Sequence, residues 1–148
     1  MAPLPGGSAP VRRGPAAAQL SFKAALHCCC FPTRVAISIT HADMGNIQIL
    51  DPASRRLTVA AHRGHEKWWL DFFENVAEGK GASCGAALQQ GARAIVEDVT
   101  KSPVFVGTPA LELQLRAGVR AVQSTPLYGS SGDLVGMIST HFRTPHRL

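Results

Sequence analysis

The chain has 148 residues, a formal net charge of +5, and 45% hydrophobic against 17% charged residues, which suits one globular domain and excludes an intrinsically disordered chain. Its apolar runs stop short of the roughly 20 residues a membrane-spanning helix requires, so no membrane partner is expected. Arg12, Arg13, Lys23 and Arg34 stand in the first 42 residues without a single acid; the body that follows lacks the clustered cations a nucleic-acid surface needs, and no nucleic-acid partner is expected.

Residues 1–34 read as a flexible basic leader. Met1 to Pro15 holds four prolines and three glycines, a composition that orders poorly, and a partial helix is expected over Ala16 to Cys30. Cys28, Cys29 and Cys30 are contiguous and Cys84 is remote, which is not a secreted disulfide framework and predicts a reducing cytoplasm. Contiguous cysteines do not converge on a tetrahedral ion, so no metal is expected there.

Regular patterning begins near Val35 and defines the domain expected over 35–148. Asn46 to Ile49 alternate polar and apolar, the mark of a half-buried strand. Asp51-Pro52-Ala53-Ser54 supplies turn chemistry, and Leu57, Val59 and Ala61 alternate in a second strand, giving a hairpin. Trp69, Phe72, Phe73 and Val76 fall at i, i+3, i+4 and i+7, one face of an amphipathic helix that carries aromatic core volume. Gly79-Lys80-Gly81 ends that helix; the spacing and Lys-Ser/Thr pair of a phosphate-binding loop are absent. Ser83 is expected to cap a short helix that Gly91 stops.

Arg93 to Val96 reads as a third strand, with Glu97-Asp98 on a solvated rim. Thr108-Pro109 opens another helix, ended by Gly118. Val119 to Tyr128 and Leu134 to Arg143 are β-rich runs around Gly129-Ser130-Ser131-Gly132-Asp133, a second hairpin. Strands that meet their sequence neighbours through tight turns predict an antiparallel sheet of five to six strands flanked by helices, an α+β domain.

Four blocks carry a resemblance: Ala42-Asp43-Met44-Gly45-Asn46-Ile47-Gln48-Ile49-Leu50-Asp51-Pro52, Gly79 to Leu88, Gly118-Val119-Arg120-Ala121-Val122-Gln123-Ser124-Thr125-Pro126-Leu127, and Gly136-Met137-Ile138-Ser139-Thr140-His141-Phe142. Together they resemble a GAF domain of the kind found beside PAS and histidine-kinase domains in bacterial two-component systems. The resemblance implies a PAS-related antiparallel sheet with a small-molecule pocket between it and the helices. It also implies non-catalytic sensing through a histidine kinase or other signalling partner, and a homodimer. Relatives begin with a long amphipathic helix where Phe31-Pro32-Thr33-Arg34 stands here, and they close with a further helix beyond Arg147; both helices are expected to be missing. The ligand and any cofactor are not specified.

Ligand-binding candidates are Cys84, Gln123, Ser139 and His141. Alternation places Ala121, Gln123 and Thr125 on one face of their strand, and Met137, Ser139 and His141 on one face of the next. Polar residues there either face a ligand or bond one another. Cys84, in the first turn of a short helix, is expected to be a buried structural thiol; the alternative is a thiolate favoured by the helix dipole. That alternative resembles the GAF-type free methionine sulfoxide reductases, whose cysteine lies in the region that here reads Val104 to Glu112 and has none. A truncated interaction module is the third alternative. His62, His65 and His141 are expected to be surface or strand histidines, not metal ligands.

Overall fold

The computed structural model describes residues 30–76 and 81–147. In chain order it comprises helix α1 (30–40), β1 (Met44–Asp51), β2 (Arg56–Arg63), α2 (Lys67–Phe73), β3 (Asn75–Val76), α3 (Ser83–Gln90), β4 (Ala94–Val96), α4 (Pro109–Arg116), β5 (Ala121–Tyr128) and β6 (Leu134–Phe142). The strands form one sheet in the order β3-β2-β1-β6-β5-β4, and every neighbouring pair is antiparallel. The α+β architecture and the strand count are therefore as the sequence predicts. The expectations for Met1 to Pro15, for a helix over Ala16 to Cys30 and for Cys28 and Cys29 lie outside the described residues.

Both hairpins form for the reasons their turn residues give. The Asp51 carboxylate accepts hydrogen bonds from the Ala53 and Ser54 amides at 3.3 and 3.2 Å, while Arg55 takes a positive φ of 55° and its amide donates to the Asp51 carbonyl at 2.9 Å. The second hairpin closes with the Gly129 amide donating to the Asp133 carbonyl at 2.8 Å. β1 and β6 lie at the centre of the sheet although they are distant in sequence, pairing from Met44↔His141 to Ile49↔Gly136.

Three local expectations are corrected. Where the leading helix is expected to be missing, at Phe31-Pro32-Thr33-Arg34, residues 30–40 are helical; Ile37 packs onto Gly45, so tightly that a Cβ there would lie 3.0 Å from the Ile37 side chain, and tertiary packing of this sort outweighs local propensity. The α2 pattern stops at Phe73, and Val76 belongs to β3 instead. In this short helix Trp69 and Phe73, four residues apart on one face, are buried while Phe72 is 48% exposed. At α3 the cap residue is Ala82, without a side-chain bond, and Ser83 is the first helical residue. Gly91 ends that helix with φ 62° as expected.

The main core lies between one sheet face (Met44, Leu50, Leu57, Val122 and Met137) and helices α2, α3 and α4, joined by Val99, Phe105 and Val119. The other face carries Gly45 and Ile47 with α1 against it. Among the described residues, no helix is long and apolar enough to cross a membrane.

Candidate functional site

The core has a polar centre. β1 turns Asn46 and Gln48 toward the helices, at 2% and 0% exposure, so its polar face is interior, the reverse of a half-buried strand with polar residues outward. Cross-strand pairing sets Asn46 beside Ser139 and Met44 beside His141 on β6, and Ser139 beside Ser124 on β5. Neighbours directly opposite on antiparallel strands share a face, so β1, β5 and β6 present one polar patch. α3 adds Ser83 and Cys84, α4 adds Gln114, and α2 adds Trp69 and Phe73.

Part of this patch is internally bonded. The hydroxyls of Ser83, Ser124 and Ser139 form a chain with 2.7 Å at each step, and the Trp69 indole Nε1–H donates to Gln114 Oε1 at 3.1 Å. The remainder is without protein partners: Asn46 Oδ1, both amide atoms of Gln48, both ring nitrogens of His65 and Nδ1 of His141. Buried polar atoms normally have a partner. The space lined by Asn46, Gln48 and His141, with His65 outside its lining, is ≈ 10 Å³, enough for about one water molecule. Among the described residues, the space between the sheet and the helices is therefore smaller than the metabolite-sized hollow that the resemblance implies, and Trp69 and Phe73 from α2 are part of its lining.

His65 enters through Gly64, whose φ of 85° is a left-handed conformation that an L side chain rarely adopts. The imidazole stacks on Trp69 with centroids 3.8 Å apart and meets His141 edge-on at 4.6 Å. Burial pushes the His65 pKa down to about 3, helped by repulsion from His62. Burial, followed by repulsion from His65, holds His141 well below its ordinary value. Both rings are neutral near pH 7. His65 is thus an interior histidine, not the surface or strand one expected.

Burial also raises the Cys84 thiol to about 11. The Gln48 amide and the Gly85 and Cys84 backbone oppose that rise weakly; the Gln48 amide does so without hydrogen-bond geometry. Desolvation outweighs any effect of the helix start, so Cys84 is the buried neutral thiol the sequence favoured.

Of the four predicted ligand-binding residues, Cys84, Ser139 and His141 meet in this patch. Gln123 does not. It pairs with Thr140 on the opposite sheet face and donates from Nε2 to Thr125 Oγ1 at 3.3 Å. Asn46, Gln48, His65 and Gln114 were missed; the period-2 polar pair on β1 was the available signal. Among the described residues, no group of three or more His, Cys, Asp or Glu side chains is placed to hold a metal ion.

No curated protein matches the sequence. Among solved structures, the chain is similar to a domain of a protein described as a two-component sensor histidine kinase from Sinorhizobium meliloti (20% identity, TM-score 0.61, covering 78% of this chain and 71% of that one). It is similar also to the free methionine-R-sulfoxide reductase of Neisseria meningitidis in complex with its substrate (16%, 0.64, 83% and 65%). A third is the GAF domain of a phosphoenolpyruvate-protein phosphotransferase from Coxiella burnetii (15%, 0.66, 83% and 70%). At such identities the likeness is one of fold. The sequence profile of the GAF domain matches residues 33–148, and the chain belongs to the GAF domain family, whose fold is that of sensory and regulatory domains.

Proposed function

We propose that this GAF domain is a non-catalytic sensor whose interior polar patch receives a small molecule. It passes the resulting change to a signalling partner, such as a histidine kinase, or to a second copy of itself. The observation that carries this is the set of buried polar atoms without partners on Asn46, Gln48, His65 and His141. A buried unsatisfied group costs about 1–3 kcal/mol, so the closed state is penalised at several atoms that a ligand would satisfy. The mechanism is a population shift: a ligand that prefers a state with Trp69 and Phe73 withdrawn moves the equilibrium by its difference in affinity for the two states.

The enzyme alternative, a reductase working through Cys84, is disfavoured by chemistry, since the thiolate is the nucleophile and burial keeps this thiol protonated with a pKa of about 11. A thermal-shift and calorimetric screen of metabolites, run beside a methionine-sulfoxide turnover assay on wild type and Cys84→Ser, tests both. The expected result is a saturable stabilising ligand and no turnover in either protein. Turnover lost in Cys84→Ser, or a screen without any binder, would overturn the proposal.

A further inference from the structure

We infer, resting on the sensor proposal, that the interior patch takes an electrically neutral molecule bearing an amide-type edge, an N–H beside a C=O. Among the described residues, the side chains that line the cavity are Asn, Gln, Ser, Cys, Trp, Phe, Ala and His, none of which carries a formal charge near neutral pH. An ion entering this space would lose its hydration without a counter-charge, at a cost of several kcal/mol.

The edge chemistry follows from the orphaned atoms. Gln48 offers a carbonyl acceptor and an N–H donor side by side, both unpartnered and fully buried; the complement of a carboxamide edge is a second amide edge presented in reverse. Asn46 Oδ1 adds an acceptor on the same strand face, and His141 Nδ1 is a further unpartnered atom on β6. The Ser83–Ser124–Ser139 hydroxyl chain can reverse its direction of donation, so it adapts to either polarity without a charged residue. The requirement is for hydrogen-bond pairing without net charge.

The test uses two probe sets on the folded chain: 2-pyrrolidone and uracil, which are neutral and carry the amide edge, and acetate and methylammonium, which carry a net charge. The neutral probes are expected to bind saturably, the charged probes not to. Gln48→Met is expected to weaken the neutral probes about tenfold or more, the equivalent of one hydrogen-bond pairing, and Gln123→Met, on the opposite face, to leave them unchanged. Charged probes that bind wild type and are lost in Gln48→Met would overturn neutrality while sparing the sensor proposal. Failure of the neutral probes to bind overturns this ligand class, and the metabolite screen then decides the sensor proposal separately. If Gln48→Met does not fold, the contrast between probe sets on wild type still decides.

Discussion

His65 lies nearly flat on the indole of Trp69, with ring planes 12° apart, while His141 stands edge-on to both rings. Two imidazoles are thereby packed into one aromatic cluster that disfavours the second ring proton and keeps each in its neutral form.

This packing predicts an acid-sensitive fold. The pKa of His65 falls from 6.5 in a solvated chain to about 3 in the folded domain, so between those values the unfolded state binds a proton that the folded state refuses. Stability is then complete above about pH 6.5 and is lost as pH falls toward 3, at about 1.4 kcal/mol per pH unit for this one group. Chemical denaturation of wild type and His65→Phe from pH 8 to pH 4 checks it. The variant keeps a ring on Trp69 but should show a shallower acid slope, whereas an unchanged slope would place the titration elsewhere.

A second expectation concerns thiol reactivity. With its pKa near 11 and its side chain buried, Cys84 should resist iodoacetamide at pH 8, while Cys30, exposed at the start of α1, should be modified. Peptide-level mass spectrometry resolves the two sites. Addition of denaturant should render Cys84 reactive, and rapid alkylation of Cys84 in the native protein would contradict the burial.

Gly136 governs the pairing of β1 with β6. A methyl group built there would collide with the carbonyl of Gln48, a backbone atom that cannot rotate away. Gly136→Ala should therefore cost more than about 2 kcal/mol and should disturb the environment of Gln48. Denaturant midpoints, with tryptophan fluorescence as the probe, measure it; a neutral substitution would mean that the two strands lie farther apart.

The turns were readable in advance because their chemistry is local: Asp51 binds the amides of the turn it opens, and Gly91 supplies the left-handed φ that stops α3. The β-alternation of Asn46 to Ile49 was also correct as a pattern. Alternation identifies residues that share a face but not which face is interior. β1 is a central strand covered on both sides, and its polar set was the one turned inward. That single ambiguity hid Asn46 and Gln48, and the same parity question misplaced Gln123. Neither is resolved without knowing that β1 pairs with β6, a contact between residues some ninety positions apart. Ser83 was misjudged for a related reason: its hydroxyl is spent on Ser124 in the interior and not on the start of its own helix.

The bond from Trp69 to Gln114 joins α2 to α4 at 3.1 Å in the buried interior, beside the more exposed stacking of the Arg116 guanidinium over the Trp68 ring. If α2 is the element that moves to admit a ligand, this bond resists the movement. Trp69→Phe removes the donor and leaves Gln114 buried at 2% exposure without its partner, an expected loss of about 1–3 kcal/mol. Gln114→Leu strands the indole N–H in the same way. The double variant removes both polar groups and should be less destabilised than the two losses added together, by about 1 kcal/mol or more, a difference that a double-mutant cycle reads directly. If entry of a ligand breaks this contact, Gln114→Leu should also bind the neutral probes more tightly than wild type despite its lower stability. Weaker binding in Gln114→Leu would mean that the ligand uses Gln114 as a partner, and that α2 does not gate the cavity through this bond.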